Sequence, residues 1–165
     1  MPVRRILREI GLTNVSVVKE QEAPDPNFST VRVPNPEDPA AFTLAIKLAN
    51  EVGADAIFGT DPDCDRMGAE VPDGEDYRLL TGNEMGVLLL DYIITARRRK
   101  GTLPENAAAI STIVTSKMVR RICDVNDIHF DETFTGFKFM AEKLAEYQRD
   151  GSYQYVLAFE ESYGY

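Results

Sequence analysis

Apolar and polar positions along the chain follow two kinds of pattern, one typical of amphipathic helices and one typical of short strands. The predicted helices cover residues 3–10, 40–52, 82–99, 116–126 and 137–149. The predicted strands cover residues 14–18, 54–58, 67–71, 77–80, 108–112, 129–134 and 153–159. Strands and helices that alternate in this way favour an α/β fold with mainly parallel pairing.

Local signals divide this pattern into two units near residue 81. The first unit contains a long loop, residues 20–39, whose five prolines exclude regular structure. Thr81 and Glu84 form a capping box that predicts the start of a helix at residue 82. We therefore expect two consecutive α/β/α layered domains, residues 1–80 and 81–165, with mixed and mainly parallel sheets.

Composition and charge restrict the class of protein. The chain has 165 residues, 44% of them hydrophobic, which suits one or two small folded domains. A formal charge of −9 argues against a nucleic-acid partner, because no basic stripe is present to neutralise phosphates. Cys64 and Cys123 are too few for a disulfide framework and predict free thiols in a reducing compartment. No secretory signal or bilayer-spanning run is visible, so we expect a cytoplasmic protein without a membrane partner.

An acidic loop directly after the predicted strand at 54–58 carries the strongest chemical signal. Asp61, Asp63 and Asp65 place three carboxylates on alternate residues, and their mutual repulsion is relieved by a hard cation such as Mg²⁺. Arg66 adds a planar donor suited to a phosphate oxygen. An EF-hand is excluded, since Arg66 stands where that loop needs Gly and Pro72 where it needs Glu. The alternative is a solvated acidic turn without metal.

Two further segments lie where predicted strands end, at the edge where α/β sheets bind ligands. In the turn 134–138, Thr135 is a candidate helix cap, and Gly136 allows backbone N–H groups to approach a ligand. Glu160 and Ser162 follow the last predicted strand and suit recognition of vicinal sugar hydroxyls. An ordinary helix cap and a solvated strand end are the alternatives.

Taken together and in this order, these motifs resemble those of the α-phosphohexomutase family, the phosphoglucomutases and phosphomannomutases. The sequence G-T-D-P-D-C-D-R at 59–66 is similar to the family's metal-binding loop, T-G-F-K at 135–138 to its substrate-discriminating loop, and F-E-E-S-Y-G-Y at 159–165 to its sugar-binding loop. Residues 24–28 and 34–37 also resemble the second domain of bacterial members. The resemblance covers nearly the whole chain.

The resemblance implies an Mg²⁺-dependent interconversion of glucose 1-phosphate and glucose 6-phosphate, through a phosphoserine and glucose 1,6-bisphosphate. It implies that the three aspartates hold the metal and that Arg66 is a catalytic residue that steadies the phosphate. The implied sugar-binding residues are Thr135, Gly136, Lys138, Glu160 and Ser162. Glu161 is expected to point away from the sugar.

The chain also departs from the family pattern. Family members have four domains, with the phosphoserine in the first and a phosphate-clamping loop in the last. Ser111, Ser116 and Ser162 lack the phosphoserine context. The chain therefore resembles most of the second domain and the third, with the first and fourth domains as its expected partners and no activity expected alone.

Several functional alternatives remain at this point. One is a mannose- or pentose-phosphate mutase of the same family, although the Glu-Glu-Ser motif favours glucose. The others are a phosphatase of the haloacid-dehalogenase type and a non-enzymatic module that binds Mg²⁺ or a sugar phosphate.

Overall fold

The computed structural model describes residues 2–165 and contains two sheets with flanking helices. The helices are α1 (Pro2–Glu9), α2 (Thr43–Val52), α3 (Gly82–Arg99), α4 (Met118–Asn126) and α5 (Phe137–Asp150), with short 3-10 helices at Lys19–Gln21 and Pro39–Phe42. The strands are β1 (Ile57–Thr60), β2 (Met67–Asp73), β3 (Asp76–Leu79), β4 (Ala107–Thr112), β5 (His129–Thr133) and β6 (Gln154–Phe159).

The first sheet is antiparallel, in the order β1-β2-β3, and corrects the expectation of mainly parallel pairing in this unit. The physical reason is the length of the connections. The acidic loop 61–66 joins β1 to β2, and a tight turn joins β2 to β3. Connections this short allow only antiparallel neighbours, because a parallel pair needs a crossover of a dozen or more residues. Helix α2 and Phe42 pack on one face around Ile57.

The strand predicted at residues 14–18 is wrong, and these residues have no regular secondary structure. Their β-branched pattern fits a strand, but no strand of residues 2–165 pairs with them. Helix α1 forms close to its predicted bounds, while its Ile6 is 57% exposed and the following Ile10 is 65% exposed. An amphipathic pattern therefore produced a local helix here without a packed apolar face.

The second sheet is parallel, in the order β5-β4-β6, as predicted. Every residue of the central strand β4 is buried. Leu90 of α3 and Val119 of α4 pack on one face of the sheet, and Met140 and Tyr147 of α5 pack on the other. This arrangement confirms the α/β/α layers of the second unit.

The capping box at the start of α3 is also confirmed. The Thr81 hydroxyl accepts a hydrogen bond from the Glu84 amide at 3.2 Å, and the Glu84 carboxylate accepts one from the Thr81 amide at 2.8 Å. Parallel pairing brings the carboxyl ends of β4, β5 and β6 to one edge of the sheet. No helix within the described range 2–165 combines the length and the apolar character required to cross a membrane.

Candidate functional site

The acidic loop is a hairpin loop that closes between the paired residues Thr60 and Met67. Within it, Asp61, Asp63 and Asp65 each offer a carboxylate oxygen, and these three atoms lie within 4.8 Å of one another. Asp61 is buried, whereas Asp63 and Asp65 are exposed. The loop therefore presents one fixed carboxylate and two accessible ones. The hairpin, rather than the end of a parallel strand, places this cluster.

Asp61 is held by Arg66 through two hydrogen bonds. The Arg66 amide donates to Oδ1 at 3.1 Å, and the guanidinium Nε donates to Oδ2 at 3.0 Å. Burial raises the pKa of Asp61, but hydrogen bonds with Asp65 and Arg66 outweigh it and leave the pKa below its usual value. The contact with Asp61 raises the pKa of Asp65, and the nearby charge of Asp63 adds to that. The carboxylates thus repel one another when no cation is present.

Two residues of the proline-rich loop also contact Arg66, and the sequence analysis assigned them no role. Asn35 Oδ1 lies 3.4 Å from Arg66 Nη1, and Glu37 Oε1 lies 3.6 Å from the same nitrogen. Asn35 and Glu37 belong to the Pro34–Glu37 motif, which was the signal that could have pointed to them. Arg66 therefore positions Asp61 and is also a candidate hydrogen-bond donor to a phosphate oxygen.

Two paired glycines allow the segment before α2, which includes the end of the proline-rich loop, to pack closely against β1 and β2. Gly59 and Gly68 face each other across β1 and β2. A Cβ on Gly59 would lie 2.9 Å from the Phe42 ring, and one on Gly68 would lie 2.7 Å from the Pro36 carbonyl oxygen. Only glycine allows this approach, which places Asn35 and Glu37 next to Arg66.

The predicted sugar-binding residues converge in part. Glu160 follows β6, is 8% exposed, and accepts a hydrogen bond from the Gly136 amide on Oε1. The Ser162 hydroxyl donates to Oε2 of the same carboxylate at 3.3 Å. Glu160, Gly136 and Ser162 therefore form one polar cluster at the carboxyl edge of the second sheet.

Thr135 and Lys138 lie outside this cluster. Gly136 occupies the N-cap position of α5 with a φ of 120°, and no side chain caps that helix, so the capping role expected for Thr135 is wrong. Thr135 is exposed. Lys138 has a side chain 78% exposed, and its Nζ lies 3.9 Å from Glu142 one turn along the helix. The conformational freedom of Gly136 takes the place of a side-chain cap.

The two loops are joined through the segment that follows Glu160. The Met67 amide, directly after Arg66, donates a hydrogen bond to the Tyr163 carbonyl at 3.1 Å. Tyr163 is buried and adopts a left-handed φ of 68°. The Glu160 amide donates to the Gly164 carbonyl at 2.8 Å and closes the turn. The acidic loop and the Glu160 cluster therefore belong to one continuous region.

Comparison with known proteins identifies the family of the chain. The model of phosphoglucomutase/phosphomannomutase α/β/α domain II matches residues 1–74, and that of α/β/α domain III matches residues 81–165. The chain belongs to the phosphoglucomutase/phosphomannomutase family. The resemblance stated from the sequence is confirmed.

Curated relatives carry the same family name. A phosphoglucomutase of Staphylococcus saprophyticus is 40% identical over 99% of this chain, and one of Staphylococcus aureus strain MRSA252 is 37% identical over the same share. In both cases the match covers 29% of the relative. The chain thus spans less than a third of the length of these relatives.

Solved structures agree on the fold. A Thermus thermophilus protein assigned as a phosphomannomutase superposes with a TM-score of 0.70 over 98% of this chain and 33% of its own, at 23% identity. An N-acetylglucosamine-phosphate mutase in its apo form gives a TM-score of 0.50 over 67% of this chain and 23% of its own, at 19% identity.

Proposed function

We propose that this chain is the central part of an enzyme that interconverts glucose 1-phosphate and glucose 6-phosphate. The observation that carries the proposal is the junction of the two loops through the Met67–Tyr163 hydrogen bond, in a chain 37–40% identical to phosphoglucomutases. Residues 1–80 form the domain that carries the metal loop, and residues 81–165 form the domain that carries the sugar loop. Further domains of the complete enzyme supply the phosphoserine and the second phosphate contact.

The acidic loop fits Mg²⁺ as the cofactor. Its donors are hard carboxylate oxygens close enough to share one ion, and their mutual repulsion is offset by a divalent cation. Asp61, Asp63 and Asp65 would hold the ion. When bound, Mg²⁺ neutralises negative charge on a phosphoryl group. Three protein ligands leave other coordination positions for water or phosphate.

The other residues of the site bind and orient. Arg66 fixes Asp61 through Nε, and a guanidinium donor that is not used in these contacts would bind a phosphate oxygen. Glu160 accepts hydrogen bonds from sugar hydroxyls, and Ser162 holds the carboxylate in place. The Gly136 N–H holds the other oxygen of the same carboxylate. Thr135 and Lys138, exposed residues of the same turn as Gly136, are proposed as further contacts to the sugar phosphate.

The proposed substrates are glucose 1-phosphate, glucose 6-phosphate and glucose 1,6-bisphosphate. The enzyme is proposed to be cytoplasmic, because its two cysteines, exposed Cys64 and buried Cys123, are both free thiols and suit a reducing compartment.

The test compares the 165-residue chain with the complete enzyme in an assay that couples glucose 6-phosphate formation to reduction of a nicotinamide cofactor. We expect turnover of glucose 1-phosphate by the complete enzyme and none above background by the chain alone, because the chain lacks the phosphoryl donor. Turnover by the pure chain would contradict the proposal. Release of inorganic phosphate in place of isomerisation would support the phosphatase alternative.

A further inference from the structure

The side chain of Glu161 contacts a different set of residues from that of its neighbour Glu160. Its Oε2 lies 2.8 Å from the Thr112 hydroxyl and 3.2 Å from the Thr115 hydroxyl, and both hydroxyls can donate to it. Thr112 is 0% exposed and Thr115 is 4% exposed. The two hydroxyls also lie 2.8 Å from each other. A carboxylate thus attaches the loop after β6 to the turn after β4.

The backbone of the same loop is held from a second direction. A Cβ on Gly82, the first residue of α3, would lie 1.8 Å from the Glu161 carbonyl oxygen and 3.0 Å from the Tyr163 amide nitrogen. Helix α3 therefore begins in direct contact with this loop. The Glu161 carbonyl cannot move towards α3, and its carboxylate cannot leave the two threonines without exposing or orphaning their hydroxyls.

Glu160 has restraints of its own, and they come from different groups. Its carboxylate is contacted by one backbone amide, Gly136, and one hydroxyl, Ser162. Both are groups that would also face a bound sugar. The direction in which Glu160 points also depends on the backbone at residues 160 and 161. That backbone is held by the Glu160–Gly164 hydrogen bond and by the contacts of Glu161 with Thr112 and Thr115.

We propose that Glu161 is a positioning residue for substrate, which orients Glu160 by anchoring the loop after β6 to Thr112 and Thr115. This inference rests on the proposed function, in which Glu160 binds the sugar. The acceptor oxygen performs the positioning, so a glutamine at residue 161 preserves it and a leucine of similar size removes it. Loss of the anchor frees the loop to rotate and moves the Glu160 carboxylate away from the sugar hydroxyls.

The experiment measures kcat/KM for glucose 1-phosphate in the complete enzyme with substitutions at residues 160 and 161. Glu161→Leu is expected to lower kcat/KM by about tenfold or more, and Glu161→Gln to stay within about threefold of the wild type. Thr115→Val removes one donor from the opposite side of the contact. It provides a second test if Glu161→Leu does not fold.

A double-mutant cycle separates positioning from general destabilisation. Glu160→Gln alone should lower kcat/KM strongly. If Glu161 acts through Glu160, adding Glu160→Gln to the Glu161→Leu enzyme should lower kcat/KM by less than about threefold further. Val119→Ala in the buried core of α4 is the matched control for lost stability. Its effect should multiply with that of Glu160→Gln.

The outcomes distinguish this inference from the proposed function. The positioning role alone would be overturned if Glu160→Gln lowers kcat/KM and its effect multiplies fully with that of Glu161→Leu. It would also be overturned if the Glu161→Leu enzyme has wild-type kcat/KM. An equal loss in Glu161→Gln and Glu161→Leu would also overturn it. A silent Glu160→Gln would overturn the sugar site and this inference together.

Discussion

Glu70 carries a carboxyl group in an apolar environment, and replacing this residue by glutamine should stabilise the folded chain at neutral pH. Glu70 lies on β2 between Ile57 of β1 and Leu79 of β3, on the face that packs against α2. It is 2% exposed, and its Oε2 has no hydrogen-bond partner among the described residues. Burial raises the pKa of Glu70, and the negative charge of Asp76 raises it further.

The sign of the pH dependence follows from linkage. The folded state holds the Glu70 proton to higher pH than the unfolded state, so the neutral carboxyl favours folding below the unfolded pKa near 4.5. That contribution is lost as the pH rises through the folded pKa, with a slope of at most about 1.4 kcal/mol per pH unit for one proton. Glutamine has nearly the same shape and cannot ionise. The advantage of Glu70→Gln should therefore grow with pH.

The magnitude follows from the cost of burying a charged carboxylate in place of a neutral amide. An unsatisfied buried polar group costs about 1–3 kcal/mol, and more when it is charged. We expect Glu70→Gln to raise the free energy of unfolding by about 1–3 kcal/mol at pH 8 and by less than about 1 kcal/mol at pH 4. Urea denaturation of the 165-residue chain at a series of pH values measures the difference. Glu51→Gln, on the exposed side of α2, is the control and should show no such trend.

A constant difference between Glu70→Gln and the wild type from pH 4 to pH 8 would refute this reasoning. A variant less stable than the wild type at pH 8 would show that the carboxylate has a partner in solution. The same trend in Glu51→Gln would assign the pH dependence to overall charge instead of to the buried site.

The remaining predictions concern the two loops. Calorimetry should detect weak Mg²⁺ binding by the chain, reduced at least about tenfold in Asp63→Asn and unchanged in Asp73→Asn, an exposed residue at the far end of β2. Equal binding by the first variant and the wild type would contradict the metal assignment. In the complete enzyme, Glu160→Gln should lower kcat/KM about ten- to a hundredfold with both glucose phosphates, because charge-assisted hydrogen bonds contribute about 1.5–3 kcal/mol each. Wild-type kinetics in this variant would show that Glu160 does not bind the sugar. Gly82→Ala should cost about 1–3 kcal/mol of stability, because its Cβ would overlap the Glu161 carbonyl oxygen, and an unchanged thermal midpoint would show that α3 can shift.

Sequence signals that act over a few residues were reliable in this chain. Helix α3 has the predicted bounds, 82–99, because its capping box and apolar spacing are local features. Strands β2 and β3 likewise formed close to the strands predicted at 67–71 and 77–80. The strand predicted at 14–18 failed, since a strand needs a hydrogen-bonded neighbour and its own sequence cannot supply one. Parallel or antiparallel pairing was likewise decided by connection length and neighbouring strands.

Some features of the candidate site were likewise determined by the local sequence, and others only by the tertiary structure. The three aspartates and Arg66 lie within six consecutive residues, so the sequence alone determined that they share one loop. Glu160 and Gly136 are 24 residues apart, and their contact depends on β5 and β6 ending at the same edge of a parallel sheet. Asn35 meets Arg66 because Gly68 allows the Pro36 backbone to approach β2. Thr112 meets Glu161 because β4 pairs with β6. Contacts between distant residues require a packed core to hold both partners in place, and local sequence patterns do not encode that geometry.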